Sequence, residues 1–379
     1  MTPRRIGFVH SVALIGGAER SLLILLRHLD RTRETPVLLC PPGPLADEAR
    51  TLGIEVRPWC GGRAHRRGWA GLGTAARAAL AATHLALRAG DLDLLHANSP
   101  LAALAALPWR AVTGRPLVWH VRDLRLPPGL VCLLAPRVSC ALAISRAVAD
   151  ELRRAGLAPD RLALLPNVLD PDDQPVVAPA TARAELGLRG DDEVLLAVGQ
   201  VVPWKGWDVL LAAAAQLAPR RPRLRLVLAG ADRWGEHPAF AAQLRARAAS
   251  PPLAGHVVWV GWSARVPALL AAADLLVLPS RGEPFGRVLL EAMAARRPVV
   301  ATTGGPSDVV RPGVTGWLVP PGDPAALAAA LDRALALPPA TRAALGERAH
   351  RTLIAGFAPD LQRMRMAAIY DKVLGSASG

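Results

Sequence analysis

The sequence predicts an α/β protein made of two doubly wound, Rossmann-like domains with parallel sheets. Short runs rich in Val, Leu and Ala alternate with longer Ala/Leu-rich helical stretches, the order expected when helices cover both faces of a parallel sheet. The alternation starts afresh after a Pro- and Asp-rich stretch at 166–192, centred on Asp170-Pro171-Asp172-Asp173. The length, 379 residues, exceeds one ordinary core and suits two domains of roughly 150–200 residues.

The first strand is expected at 6–10, between Arg4-Arg5 and a glycine loop, with a helix at 20–29 after that loop. Apolar runs at 36–40, 92–96, 117–120, 141–144 and 162–165 are too short for helices and read as buried strands. A helix is expected at 148–155. The second half repeats the scheme, with strands at 194–198, 224–229, 257–260, 275–278 and 298–301. Its helices fall at 207–217, 266–273, 288–295 and 325–335, and a last one at 359–374. The domains are therefore 1–168 and 193–358, with a linker at 169–192 and a closing helix in 359–379. Two such halves facing each other would bring the carboxyl ends of both sheets to one central cleft, where function is expected.

Composition narrows the class. Apolar residues make up 51%, and 35 prolines and 33 glycines are spread as turn punctuation, which excludes a disordered chain. The formal charge of +14 fits anionic partners: nucleotide phosphates or an acidic membrane surface. The clusters at 63–67 and 220–225 are short and broken, and no basic-aromatic alternation occurs, so nucleic acid is not the expected partner. Cys40, Cys60, Cys132 and Cys140 show no zinc spacing and read as small buried hydrophobes in a reducing compartment. The N-terminus superficially resembles a signal peptide, but His10 interrupts its apolar stretch and Glu19-Arg20 follows. No apolar run reaches the ~20 residues of a membrane span. These features imply a cytoplasmic protein, with peripheral contact at the inner face of an anionic membrane. The ten tryptophans are scattered, so packing in the core or at its rim is the default over sugar stacking.

The most informative segment is Arg281 to Ala294, RGEPFGRVLLEAMA. Glu283 precedes an expected helix and Glu291 lies inside it, about two turns along. Pro284 suits the entry turn and Gly286 permits close backbone approach. Carboxylates accept from sugar hydroxyls and a helix N-terminus attracts phosphate, so the pair suits a polyol joined to an anion. Alone, the two glutamates at this spacing favour a plain capping residue and a solvated helix residue. Gly199-Gln200 and Lys205-Gly206 follow the first strand of the second half, where a loop carrying a lysine would hold a diphosphate. Gly16-Gly17-Ala18 offers backbone N–H groups in the first half, although a tight turn explains it as well.

Together these motifs resemble the family 4, or "group 1", retaining glycosyltransferases of GT-B fold. The E-P-F-G-x-x-x-x-E block is the specific part, and its companions run in the family's order from Gly16-Gly17-Ala18-Glu19-Arg20 to Gly313-Val314-Thr315-Gly316. The resemblance implies a transferase moving a sugar from a nucleoside-diphosphate sugar to a lipid-linked or surface-glycan precursor in polysaccharide biosynthesis. It implies no cofactor and no metal, the nucleotide sugar being the co-substrate. It assigns the diphosphate to Lys205, Gly199, Gln200 and the Gly16-Gly17 loop, and the ribose hydroxyls to Glu291. Glu283 would bond the transferred sugar, beside the backbone of Phe285 and Gly286. His120, in Val118-Trp119-His120-Val121-Arg122-Asp123, would touch the donor sugar; catalysis is expected of His120, Lys205 and Glu283. Arg122, Asp123 and His96 are acceptor-side candidates. Ser145-Arg146 and Pro166-Asn167 match family landmarks that also fit turn-shaping residues.

Two departures stand out. Gln200 replaces the usual arginine, and Asp308 ends the Gly304-Gly305 loop where the family often has Glu. Losing a charged contact costs about 1.5–3 kcal/mol unless a group such as Arg287 compensates. Gln200 therefore keeps open a non-catalytic nucleotide-sugar- or glycan-binding subunit. A sugar-nucleotide 2-epimerase shares the architecture but would need more acid/base groups.

Overall fold

Parallel strands buried on both faces need continuous apolar sequence, and the runs above supply it. The computed structural model describes residues 2–61, 74–171, 174–232 and 235–375. The basic cluster at 63–67 and Asp172-Asp173 fall outside the described residues. In chain order the first half forms β1 (Arg4–Val9), α1 (Gly17–His28), β2 (Glu34–Cys40), α2 (Pro44–Thr51), β3 (Glu55–Pro58), α3 (Thr74–Arg88) and β4 (Leu94–Ala97). It continues with α4 (Pro100–Thr113), β5 (Leu117–Val121), α5 (Pro128–Leu134), β6 (Cys140–Ala143), α6 (Arg146–Arg154) and β7 (Leu162–Leu164). The seven strands pair in parallel in the order β3-β2-β1-β4-β5-β6-β7. The order reverses between β1 and β4, the switch point at which α/β sheets bind ligands beyond the strand ends.

The second half opens with α7 (Pro179–Glu185), β8 (Glu193–Val198), α8 (Trp207–Leu217), β9 (Leu224–Ala229), α9 (Pro238–Ala249), β10 (Val257–Trp259) and α10 (Val266–Ala272). There follow β11 (Leu275–Leu278), α11 (Arg287–Ala294), β12 (Val299–Thr302), β13 (Gly316–Val319), α12 (Pro324–Ala336) and α13 (Pro339–Gly356). This sheet is also parallel, ordered β10-β9-β8-β11-β12-β13, with its switch point between β8 and β11. The last helix, α14 (Pro359–Gly375), belongs with the first half: one unit is Met1–Val168 with Pro359–Gly379, the other Leu169–Ala358. Its Met366, Tyr370 and Val373 sit in one core with Ile6, Phe8, Leu22, Leu26 and Val118. Gln362 Nε2 donates to the Pro166 carbonyl at 2.8 Å.

The first strand is β1, hydrogen-bonded on both sides. Edge strands β3 and β13 carry too little apolar alternation to be read beforehand. Ser145 is the N-cap of α6, accepting from Val148 N at 3.2 Å, a role any helix start could ask of it. Trp59, Trp109 and Trp119 are core residues, whereas Trp204 and Trp262 are exposed. The cysteines are all free; Cys40 and Cys140 are buried as expected, but Cys132 is exposed and Cys60 is half-buried, its Sγ 2.8 Å from His84 Nδ1.

The segment expected as a linker, 169–192, is more structured than a linker. Its helix α7 is fastened by Arg183, whose guanidinium reaches Asp274 Oδ2 at 3.0 Å and the carbonyls of Ala272 at 3.0 Å and Gly190 at 2.6 Å. Composition could not show this, because Ala272 and Asp274 lie 89 and 91 residues away. Arg183→Ala should cost about 2 kcal/mol and speed proteolysis within 170–190. Urea denaturation and a timed digest check this; an unchanged midpoint would show that Arg183 does not hold the helix.

Candidate active site

In the second unit the chemistry gathers after β8 and β11. The chain leaves β11 at Ser280, makes the Arg281–Phe285 loop, and enters α11 through Gly286 at φ 87°, a left-handed conformation glycine adopts without strain. A Cβ there would also lie 2.7 Å from Leu278 Cδ2. Glu283, 6% exposed, accepts from Lys205 Nζ at 2.7 Å and from Ser280 Oγ at 2.9 Å, both on Oε2. Ser280's carbonyl in turn accepts from Thr302 Oγ1 at 2.7 Å. Lys205 also lies over the Trp204 ring, 4.5 Å from its centroid. Glu291, one helix face further on, pairs with Arg287 at 3.2 Å in an i,i+4 arrangement.

Two devices hold these loops together. Arg281 forks onto Asp208 at 2.8 and 2.6 Å, donates to Pro203 O, and its amide donates to Trp204 O. The Lys205 turn is thus bound to the Glu283 loop at three points. Gly305 donates to Glu283 O at 3.2 Å, and a Cβ on it would fall 2.2 Å from Pro284 O, so only glycine permits that approach. Phe285 is core, edge-on to Phe357, which leaves only its backbone for a ligand. Gly199 and Gln200 are half-buried at the end of β8. Asp308, with Arg311 and Arg348, lines a separate concavity of about 450 Å³.

In the first unit the polar side chains at the strand ends form one buried chain. Glu19 accepts from His10 Nε2 at 2.6 Å and from the Gly16 amide at 2.8 Å. Burial works to raise the Glu19 pKa, but these bonds hold it below its usual value. Asn98 Nδ2 donates to His10 Nδ1 at 3.2 Å, and Asn98 Oδ1 accepts from Arg122 Nε at 2.9 Å. Arg122 Nη1 donates to Asn167 Oδ1 at 2.6 Å, and Nη2 lies 3.4 Å from His120 Nδ1. His96 Nε2 is 3.1 Å from His120 Nδ1, and His96 Nδ1 is 2.8 Å from Tyr370 Oη.

This corrects the acceptor-side expectations. His96 is wholly buried with both ring nitrogens engaged, and Arg122 is 8% exposed with its guanidinium shared among three side chains. Neither is free to meet an acceptor; both organise the strand ends. Asp123 is exposed on the adjoining turn. The Gly16 amide, expected to approach a diphosphate, is already held by Glu19. His120 is wholly buried, and its Nε2 has no hydrogen-bond partner among the described residues. Sequence reading missed His10, Asn98, Ser280 and Tyr370 as members of these clusters; only their place at strand ends, or on the last helix, could have flagged them. Among the described residues no group of three or more His, Cys, Asp or Glu could hold a metal ion, and no helix is long and apolar enough to cross a membrane.

Two doubly wound parallel units, with paired carboxylate and lysine at a helix entry, define the class to which comparison then gives a family. The profile "Glycosyltransferase Family 4" matches residues 15–173 and "Glycosyl transferases group 1" matches 180–352. The D-inositol 3-phosphate glycosyltransferase 1 of Catenulispora acidiphila is 34% identical over 320 residues, 76% of this chain and 74% of that protein. The D-inositol 3-phosphate glycosyltransferase of Segniliparus rotundus is 40% identical over 170 residues, 43% of this chain but only 37% of the relative's length. The chain belongs to the group 1 (family 4) glycosyltransferases. Anabaena HepE, crystallised with UDP and glucose, superposes with a TM-score of 0.85 at 23% identity, covering 97% of this chain and 99% of HepE; the fold is GT-B.

The buried histidines make stability acid-sensitive. Burial, with Arg122's charge beside it, pushes His96 down to about 3, and the same causes hold His120 well below its usual value. Below the unfolded value of 6.5 the unfolded chain therefore binds protons the native chain does not. Stability is complete above that pH and lost as pH falls through it. Between pH 6.5 and 5 the loss should be roughly 2 kcal/mol from His96, with a further loss in the same direction from His120. Urea midpoints at pH 7 and 5 measure it; equal midpoints would contradict the buried neutral pair.

Proposed function

We propose that this chain is a metal-independent, retaining glycosyltransferase that moves a sugar from a nucleoside-diphosphate sugar to a hydroxyl of a lipid-linked or surface-glycan precursor. The observation that carries the reading is the Lys205–Glu283 pair at the entry to α11, with Glu291 about one turn along that helix. An ammonium has three donors and Glu283 occupies one, so Lys205 can also meet a phosphate oxygen. The first turn of α11 adds N–H groups with no intrahelical acceptor and the positive end of a dipole. Glu291, steadied by Arg287, is placed to accept from ribose hydroxyls, and Glu283 from the sugar. The relatives named D-inositol 3-phosphate glycosyltransferases, and HepE with UDP and glucose, support a nucleotide-sugar donor.

The reaction then needs no enzyme nucleophile. The bond from sugar C1 to the phosphate oxygen breaks, and the diphosphate leaves with the electron pair, stabilised by Lys205 and backbone amides. The acceptor oxygen bonds to C1 on the same face, and its proton passes to the leaving phosphate oxygen. Glu283 orients the sugar. Gln200 brings a neutral donor where a second cation would help, so Lys205 carries more of the charge. The +14 balance favours a partner on an anionic membrane.

A thermal-shift screen with UDP-, GDP-, ADP- and dTDP-sugars should give stabilisation by one base, abolished in Lys205→Ala and Glu291→Ala. Each lost contact should weaken binding roughly 10- to 150-fold. No shift from any nucleotide would favour the non-catalytic subunit that Gln200 keeps open. With the donor known, Glu283→Ala should lower turnover in protein that still unfolds in one cooperative transition; unchanged turnover rejects its role. Proton NMR of the first-formed product should show the donor's anomeric configuration, with rates unaffected by EDTA. An inverted product, or loss of activity in EDTA, would overturn the mechanism.

A further inference from the structure

A lysine carries its charge on a flexible four-carbon stem, so an ammonium that must meet one ligand group has to be aimed by its surroundings. Three groups aim Lys205. Its stem runs past Gly199, where an added Cβ would stand 3.7 Å from Cδ and Cε. Its Nζ donates to Glu283 Oε2 at 2.7 Å and lies over the Trp204 ring, 4.5 Å from the centroid. Trp204 is 38% exposed, and the turn that carries it is pinned through backbone groups. Arg281 donates to the carbonyls of Pro203 and Trp204, both at 2.8 Å. Gly206 packs so closely on the Pro279 carbonyl that a Cβ there would collide with it. Any residue at 204 could supply its carbonyl, so what the indole adds is a ring face toward the ammonium.

We propose that Trp204 is a positioning residue that aims Lys205 at the phosphates of the donor without bringing charge of its own. This rests on the reading above in which Lys205 takes the diphosphate, and it adds how one lysine does so beside the neutral Gln200. A ring face attracts a cation yet carries no net charge. A carboxylate at 204 would also hold the ammonium, but it would repel a diphosphate; an aliphatic side chain would not hold the ammonium at all. Glu283 occupies one of the three N–H donors, and the ring leaves the others to a stronger acceptor such as a phosphate oxygen. The ammonium is ordered before the ligand arrives, so binding does not have to freeze its stem. Gln200 brings a hydrogen-bond donor and no charge, and the pre-ordering falls on the cation that the loop does supply.

A double-mutant cycle in the free, full-length chain tests the contact: Trp204→Leu, Lys205→Met and both together, compared by urea denaturation. The two changes should be coupled by roughly two- to fivefold in the folding equilibrium. Additive losses overturn the proposal, because an indole that serves only the turn does so whatever stands at 205. Titration calorimetry with UDP, GDP, ADP and dTDP, and with inorganic pyrophosphate as a probe without a base, then tests what the aiming is for. Trp204→Leu should weaken the diphosphate that binds by roughly two- to fivefold. Trp204→Phe should lose less and Trp204→Glu more, and in the Lys205→Met background Trp204→Leu should change nothing. A loss that Trp204→Phe does not lessen, or that persists in the Lys205→Met background, overturns the proposal. If the free protein shows the coupling but wild type binds none of these probes, the diphosphate reading of Lys205 fails and takes the proposal with it. A wild type that binds without the coupling overturns the proposal alone.

Discussion

In both units the inner strands are buried on two faces, and a parallel strand so placed leaves little room for chemistry along its length. Polar side chains are therefore pushed to the carboxyl ends, where the backbone ladder stops and loops begin. His10 follows β1, Asn98 follows β4, His120 and Arg122 stand at the end of β5, and Asn167 follows β7. In the other unit Gln200 follows β8, Ser280 and Glu283 follow β11, and Gly304-Gly305 follow β12. Gln200 and Glu283 lie in such places, Lys205 lies in the loop that follows one, and Glu291 lies on the helix that starts after another.

The two units keep buried polar groups by different means. The first uses a directional chain of mainly neutral groups, in which a single guanidinium is satisfied by two amide oxygens and an imidazole. Bonding of this kind rigidifies such a network. The second uses ion pairs, Lys205 with Glu283 and Arg287 with Glu291, partly open to water. Pairs of that kind can exchange one partner for a ligand's phosphate or hydroxyl without stranding a buried charge. Rigid presentation in one unit and exchangeable charge in the other suit a reaction that must orient a sugar while a diphosphate departs.

Much of this was legible before any coordinates. Strand and helix order followed from apolar periodicity, and the E-P-F-G block located the helix entry at Gly286, which the left-handed φ explains. Lys205 and Glu283, seventy-eight residues apart, were both singled out, but their 2.7 Å contact was not foreseeable, since it depends on Arg281 and Asp208 clamping one loop to the other. His96 and Arg122 were singled out for the wrong work. Their sequence neighbours suggest strand ends facing a ligand, whereas their partners, Tyr370 and Asn167, come from distant segments.

The sequence by itself determined the class of fold, the restart of the alternation after the Pro/Asp-rich stretch, the family, and the residue types that could grip a nucleotide sugar. These depend on local periodicity and short spacing, which a chain carries regardless of its partners. Tertiary structure alone decided which of those residues are bound to one another, and that α7 is packed and not a free linker. Those are properties of pairs distant in sequence, and only the closing of the sheets and the docking of α14 on the first core bring them within hydrogen-bond reach.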